Sequence, residues 1–360
     1  MEHSHRLLVA KTHMEPNDAL YVELAVPPAL AQAYEFTQGQ YLTFSAQVDG
    51  QEVRRSYSIC SSVGGPLAVA IKKIEGGVFS QYAHESFRPG TEVQVLPPDG
   101  QFNSQLDPGQ EKDYLCIAAG SGITPIISIV KTVLETEPAS RVTLLYGNRR
   151  SVDMMFREQL LWLKSTYMSR LQWINIFSQE SQAAEILNGR INNRKGGELN
   201  RHLIDIRGYD EFFLCGPEAM ISEVSRGLRG QDVEESQIHY ELFFASAEDA
   251  REAIAKHHAR ARQYAGLSTE VRVRSGGREV VFALTADGEN ILDGAMNNGL
   301  DLPFSCKGGV CATCKAKVVQ GQVDMDLNHA LSAEELEQGY VLTCQAHPIS
   351  DNVVVDFDVT

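Results

Sequence analysis

Cys306-Lys307-Gly308-Gly309-Val310-Cys311-Ala312-Thr313-Cys314 carries three cysteines on one short loop, and a fourth follows in Leu342-Thr343-Cys344-Gln345. A chain with this arrangement must fold so that a distant strand returns to the loop. The spacing C-x4-C-x2-C with a remote fourth cysteine suits two irons bridged by two sulfides, each iron taking two thiolates. Gly308 and Gly309 remove the side chains that would keep backbone N–H groups from the sulfurs. Structural zinc and uncoordinated buried thiols are the competing readings. Zinc sites usually pair two short C-x2-4-C knuckles, which this chain lacks. Cys306, Cys311, Cys314 and Cys344 are therefore the expected metal ligands. Seven cysteines without a signal-like stretch in Met1-Glu2-His3-Ser4-His5-Arg6 fit a reducing cytoplasm rather than a disulfide scaffold.

At 360 residues the chain suits two or three domains. Its longest uncharged run, Tyr114 to Val130, is broken by Gly120, Gly122 and Pro125 and is shorter than the ~20 residues a membrane helix requires. The net charge is −15, and from Ser268 onward six Lys and Arg face fourteen Asp and Glu. That acidic surface disfavours nucleic acid and fits steered docking onto a basic protein partner, against a reading as solvation alone. Neither a nucleic-acid nor a membrane partner is expected.

Residues 6–105 alternate as short strands at Leu7–Val9, Leu20–Leu24, Tyr41–Phe44, Ser56–Ile59, Leu67–Ile71 and Val93–Val95, separated by Gly and Pro turns. This pattern predicts an antiparallel barrel or sandwich. From Tyr114 the rhythm becomes strand, glycine turn, helix, strand, with strands at Val142–Tyr146, Gln172–Phe177 and Glu211–Cys215, which predicts a parallel α/β sheet. Residues 246–267 are Ala-rich and partly helical, and read as a linker. Strands at Glu270–Arg274 and Glu279–Phe282 and a helix over Ile291–Asn298 then precede the cysteine loop. Cys60 and Cys116 read as buried small hydrophobes, and the ten histidines, lacking metal or catalytic spacing, are assigned to surfaces.

Gly120-Ser121-Gly122-Ile123-Thr124-Pro125 turns the first α/β strand into a helix, where free N–H groups and the helix dipole suit a pyrophosphate. Pro125 replaces the usual third glycine, so the motif gains its weight from context. That context is Arg54-Arg55-Ser56-Tyr57-Ser58 on a barrel strand and Gly76-Gly77-Val78-Phe79-Ser80 at a helix entry. Together these segments resemble the ferredoxin-NADP reductase family, joined here to a plant-type [2Fe-2S] ferredoxin domain.

The resemblance implies three domains: an antiparallel β-barrel FAD-binding domain at 1–108, an α/β parallel-sheet NAD(P)-binding domain at 109–245, and, after a linker at 246–267, an α+β, β-grasp-like ferredoxin domain at 268–360. It implies that Arg55 meets the flavin pyrophosphate, Tyr57 stacks on the isoalloxazine and Ser58 bonds near the reactive nitrogen. Gly77, Val78 and Ser80 would cradle phosphate; Gly120, Gly122, Thr124 and Pro125 would form the nucleotide turn. Cys215-Gly216-Pro217 would lie beside the nicotinamide, and an aromatic of Glu241-Leu242-Phe243-Phe244, best Phe243, would cover the second flavin face. The segment Leu96–Phe102 is similar to the adenine-side loop of FAD-binding relatives, favouring FAD over FMN.

Val142–Tyr146 runs into Gly147-Asn148-Arg149-Arg150 with no acidic residue at the strand end, so Arg149 or Arg150 could hold a 2′-phosphate, favouring NADPH with NADH possible. Arg55–Cys60, Tyr146–Arg149, Phe177–Glu180, Cys306–Lys315, Gly339–Ala346 and Val353–Asp358 are similar to the reductases of the phenylacetyl-CoA epoxidases, multicomponent di-iron monooxygenases of phenylacetate degradation. This likeness implies an oxygenase that receives electrons at the ferredoxin domain. A reductase for Rieske-type ring or steroid hydroxylases, and a redox-sensing iron-sulfur binding protein, are the alternatives.

Overall fold

The structure, a computed structural model, describes residues 4–48, 50–75, 77–243, 247–264 and 266–359. Gly76, Phe244, Ser246 and the first three residues, named above, lie outside them. The chain divides into two compact units, one of Ser4–Glu241 and one beginning at Leu242.

The first unit opens with six strands, β1 (His5–Glu15), β2 (Ala19–Ala25), β3 (Tyr41–Val48), β4 (Gln51–Ser58), β5 (Leu67–Lys72) and β6 (Glu92–Val95), and a helix α1 (Val78–Ser86) between β5 and β6. All pairings are antiparallel, in the order β4-β3-β6-β1-β2-β5. An antiparallel bridge from Ile59 to Val69 brings the two edges together and closes the barrel. Alternating residues fill it, with Leu7, Val9, Val22, Leu42, Phe44, Val69 and Val95 in one core cluster.

The α/β layer follows as β7 (Asp113–Ala119), α2 (Ile123–Thr136), β8 (Arg141–Asn148), α3 (Arg157–Thr166), β9 (Leu171–Phe177), α4 (Asn193–His202), β10 (Glu211–Cys215), α5 (Glu218–Arg229) and β11 (Ile238–Glu241). Its five strands are all parallel, in the order β11-β10-β7-β8-β9. The order reverses beside β7, so the ends of β7 and β10 flank a topological switch point, where open α/β sheets bind ligands. The continuous apolar runs of β7 and β10 follow from burial on both faces.

The second unit holds α6 (Ala247–Gln263), β12 (Ser268–Ser275), β13 (Arg278–Thr285), α7 (Ile291–Asn297), β14 (Lys315–Gln320), β15 (Val323–Met325), α8 (Ala333–Glu337), β16 (Tyr340–Leu342), β17 (Ala346–Pro348) and β18 (Asn352–Asp356). A mixed sheet, β13-β12-β18-β14-β16, packs against α7, and β15 pairs with β17 in a separate ribbon. This is the expected α+β domain. The histidines depart from expectation. His347 is buried at 6% exposure and bonds Asp326, while His239 stacks on Phe213 and bonds Glu211. Composition and spacing do not reveal a histidine whose buried place is fixed by a remote carboxylate.

Glu137, just past α2, is fully buried. Its carboxylate accepts from the Tyr114 hydroxyl at 2.8 Å, the Ser140 hydroxyl at 2.7 Å and the Asp107 N–H at 3.0 Å. It joins the connector leaving the barrel to the first strand of the α/β layer. Glu137→Ala orphans three donors and is expected to cost about 3 kcal/mol at ~1 kcal/mol each. A urea titration should show a lower midpoint with an unchanged slope.

Candidate active site and cluster loop

In β4, Arg55 and Tyr57 share one strand face by the two-residue period, and Ser58 takes the other. Arg55 is exposed, and its Nη1 donates to the Arg54 carbonyl at 2.7 Å. The Tyr57 ring lies 5.9 Å from Phe79 of α1 and 6.0 Å from Phe44, which sets the start of α1 beside it. Gly77 caps that helix, and a Cβ there would meet Ser80 Oγ at 2.7 Å. The Ser80 hydroxyl donates to the Gly77 carbonyl and accepts from the Ile74 N–H, each at 3.1 Å. Val78 is exposed at the first helical position. An arginine fork, an aromatic ring and a helix N-terminus thus converge, a donor set that fits a flavin dinucleotide.

The glycine turn lies at the C-terminal end of β7. Gly120 takes φ +55°, and Gly122 has no room for a side chain, since a Cβ would stand 2.2 Å from the Cys215 carbonyl oxygen. Gly216 is less confined, a Cβ meeting the flexible end of Met220 at 2.7 Å and Ala119 Cβ at 3.1 Å. Thr124 turns inward, its hydroxyl donating to the Ser121 carbonyl at 3.0 Å. Pro125 sits in the first turn of α2, where the missing N–H costs no helical bond. Pro217 precedes α5 as its N-cap.

These turns bring Ser58, Cys215 and Glu241 together. The Ser58 hydroxyl donates to Glu241 Oε2 at 3.1 Å, and Cys215 stands opposite Glu241 in the β10–β11 register. Glu241 keeps some exposed surface, but burial pushes its carboxyl up to about 8, against the smaller downward pull of the Ser58 hydrogen bond. Cys215 is fully buried, and burial followed by the Glu241 charge raises its thiol well above the usual range. Motif spacing assigns Glu241 no role. An acidic residue ending an otherwise apolar parallel pair is the signal that marks it. Phe243 lies in a bend at the start of the second unit and is partly buried there.

At the end of β8, Arg150 is held by Asp153 through two bonds of 3.2 Å, and Glu180 accepts from the Ser151 N–H at 2.7 Å. Carboxylates therefore surround Arg150, which the strand-end sequence alone does not disclose. Arg149 is exposed and lies close enough to Lys72 of β5 to lower its ammonium pKa, after the larger effect of burial. Lys72 is a cation that sequence reasoning missed, because it comes from the barrel.

In the second unit the four loop cysteines form two pairs, Cys306 with Cys311 and Cys314 with Cys344. Cys314 and Cys344 are buried in the core, and the other two are partly exposed. The Cys311 thiol lowers Cys306 to about 6, helped by backbone N–H groups of Gly308, Val310 and Cys311 against burial. Hydrogen-bond donors aim at the sulfurs. The Gly308 N–H reaches Cys306 at 3.2 Å, the Cys306 N–H reaches Cys311 at 3.4 Å, the Thr313 hydroxyl reaches Cys311 at 3.2 Å, and the Gln345 amide reaches Cys344 at 3.5 Å. Gly309, at φ +75°, passes Leu327 so closely that a Cβ would lie 3.1 Å from its carbonyl. Two thiol pairs with N–H groups around them fit a two-iron cluster, two ligands per iron. Among the described residues, no three His, Cys, Asp or Glu side chains surround a single point.

Three domain families match the chain: an oxidoreductase FAD-binding domain over residues 7–104, an oxidoreductase NAD-binding domain over 116–226, and a 2Fe-2S iron-sulfur cluster binding domain over 274–348. One of the subunits of the 1,2-phenylacetyl-CoA epoxidase of Escherichia coli K12 is 46% identical over 98% of both chains. The chain belongs to this family of FAD- and NAD-binding [2Fe-2S] reductases. The ferredoxin reductase component of the 3-ketosteroid-9-alpha-monooxygenase of Mycolicibacterium smegmatis is 30% identical over 99% of this chain and 98% of its own. Phthalate dioxygenase reductase shares the fold over 98% of both chains, with a TM-score of 0.60 at 22% identity. The reductase is thus an NAD(P)H-dependent flavin and iron-sulfur oxidoreductase whose cofactors are FAD, a pyridine nucleotide and a [2Fe-2S] cluster. Among the described residues no helix is long and apolar enough to cross a membrane.

The raised Glu241 carboxyl predicts a pH signature in stability. In the unfolded chain this group titrates near the ordinary glutamate value, so between roughly pH 4.5 and 8 only the folded state holds the proton, and stability falls as pH rises through that window. Glu241→Gln removes this contribution. In flavin-loaded protein the melting temperature of the Gln variant should rise relative to the parent from pH 5 to pH 8 and level off above; a constant difference would refute the assignment.

Proposed function

We propose that this reductase delivers electrons from NADPH to the oxygenase of a phenylacetyl-CoA epoxidase system, and that the oxygenase docks on the ferredoxin domain. The observation that carries the reading is the 46% identity to the Escherichia coli protein over nearly the full length of both chains. A reductase serving a steroid or Rieske-type hydroxylase is the second reading, supported by the 30% identical reductase component of the 3-ketosteroid-9-alpha-monooxygenase. A cytoplasmic location agrees with seven free cysteines. Domain boundaries at 108, 245 and 267 accompany this proposal.

Nicotinamide gives two electrons and a [2Fe-2S] centre takes one, and a bound flavin supplies the conversion between them. The chain's own residues do the rest. Arg55 and the start of α1, with Gly77, Val78 and Ser80, would hold the pyrophosphate, and Tyr57 would offer the stacking face. Ser58 and Glu241 would hold a proton on the carboxyl near neutral pH, where an ionised carboxylate would oppose negative charge developing nearby. Gly120, Gly122, Thr124 and Pro125 would admit the dinucleotide, and Cys215-Gly216-Pro217 would set the nicotinamide's approach, with Phe243 as the proposed aromatic cover. Cys306, Cys311, Cys314 and Cys344 would ligate the cluster.

Reconstitution with purified oxygenases tests the acceptor. NADPH-dependent epoxidation of phenylacetyl-CoA is expected with the epoxidase oxygenase, whereas coupling only to a Rieske-type oxygenase would establish the second reading. For cofactor choice, Arg149 with Lys72 is the cationic pair proposed for the 2′-phosphate, since Arg150 is already engaged by Asp153. Arg149→Ala should raise KM for NADPH by about 10- to 100-fold, the worth of one charge-assisted bond, while leaving NADH kinetics unchanged. Equal or better use of NADH by the parent protein would overturn the preference.

A further inference from the structure

Over the described side chains of helix α6 no apolar ridge is buried. Among its described side chains, from Ala255 to Gln263, Arg260 alone is buried, at 2% exposure. A helix normally docks through an apolar stripe; this one docks through a charge. Arg260 Nε donates to the Ala286 carbonyl at 2.7 Å, and Nη1 donates to Asp324 at 2.9 Å and Asp326 at 2.8 Å. One turn earlier, Lys256 donates to the Asp326 carbonyl at 3.0 Å. The two carboxylates flank Met325, where β15 pairs with β17 and Asp324 stands opposite His347. Asp326 also bonds His347 at 3.2 Å, and its N–H donates to the Gln345 carbonyl at 3.0 Å.

Gln345 continues the path to the cluster loop. Its side-chain amide donates to the Lys307 carbonyl at 2.9 Å and the Cys344 carbonyl at 3.0 Å, and reaches the Cys344 sulfur at 3.5 Å. One amide therefore touches the segment beside Cys306 and the segment carrying Cys344. Arg260 stands three links away, through Asp326 and the Gln345 backbone.

We propose that Arg260 is a positioning residue with two effects: it makes the interdomain helix an integral part of the iron-sulfur domain, and it holds the Asp326–Gln345 path that orients the Cys344 half of the cluster. The second effect rests on the cluster reading given above; the first does not. Neither a free tether nor a helix held by apolar contacts would behave in this way. Removing the guanidinium takes away the positive charge that Asp324 and Asp326 share, and the net negative charge this leaves makes an electron placed on the cluster less favourable.

The test uses full-length protein loaded with flavin and cluster. In Arg260→Met, amides of residues 256–264 should exchange at least about tenfold faster, as expected of an undocked surface helix. The midpoint potential of the cluster, followed by EPR-monitored titration, should move to more negative values. NADPH–ferricyanide reduction should be unchanged, since Arg55, Tyr57, Ser58 and the start of α1 belong to the other unit and Phe243 is not among the groups that Arg260 bonds. Arg260→Lys, which restores the charge, should return the potential toward the parent. The triple variant Arg260→Met, Asp324→Asn, Asp326→Asn guards against a folding failure. It should fold, lose the helix protection, and shift the potential upward, because it removes two negative charges for one positive. Unchanged exchange in Arg260→Met, or in the triple variant, would overturn the anchoring role. Lost protection with the same potential in all three variants would overturn the link to the cluster. Zinc in place of iron and sulfide would remove the cluster reading while leaving the exchange measurement decisive for the helix.

Discussion

The close approach of two turns at the C-terminal edge of the parallel sheet governs the first unit. Strands β7 and β10 are hydrogen-bonded neighbours, and the chain leaves them through Gly120–Gly122 and through Cys215–Pro217. Only a glycine at 122 lets the first turn pass the Cys215 carbonyl, while a Cβ at 216 would have to displace the Met220 tip and press on Ala119. A side chain at either position would push the turns apart. At Gly122 the approach is therefore backbone against backbone, which leaves less slack than side-chain packing.

The cysteine loop uses a different device. It is stabilised by hydrogen bonds whose acceptors are the sulfurs themselves, and its glycine at 309 lies against Leu327. Two of the thiols belong to the hydrophobic core, so the loop is anchored from beneath by Cys314 and Cys344 and presents Cys306 and Cys311 outward. A buried thiol is costly to ionise, and in each pair one thiol is pushed up while its partner is pushed down.

Much of this is legible in the sequence. The two-residue period places all six barrel strands, and the apolar runs place four of the five parallel strands, because these signals are local; the short β11 ends in an acidic residue and escapes them. What stays hidden is non-local. Lys72 comes near Arg149 at the end of β8 from the barrel, and Asp153 occupies Arg150 from the following turn. His347 is buried because Asp326 folds back onto it, so histidine spacing points wrongly to the surface. In the Ala-rich segment, composition shows the absence of an apolar face but not that one arginine replaces it. Tertiary partners of charged groups, unlike periodicities, leave no pattern along the chain.

The buried charges themselves separate structure from function. Burial tends to raise the Glu211 carboxyl, but His239 and Lys112 outweigh it and the net shift is downward. Arg260 meets two carboxylates, and Lys195 pairs with Glu198. Each of these groups is compensated, as a purely architectural charge must be to persist in a low-dielectric setting. Glu241 breaks the rule. Among the described residues its hydrogen-bond partner is the neutral Ser58 hydroxyl, and Cys215 beside it offers no cation. An uncompensated carboxyl destabilises the fold by the proton it must retain, so packing alone does not account for Glu241 where the end of β4 meets the Cys215 turn.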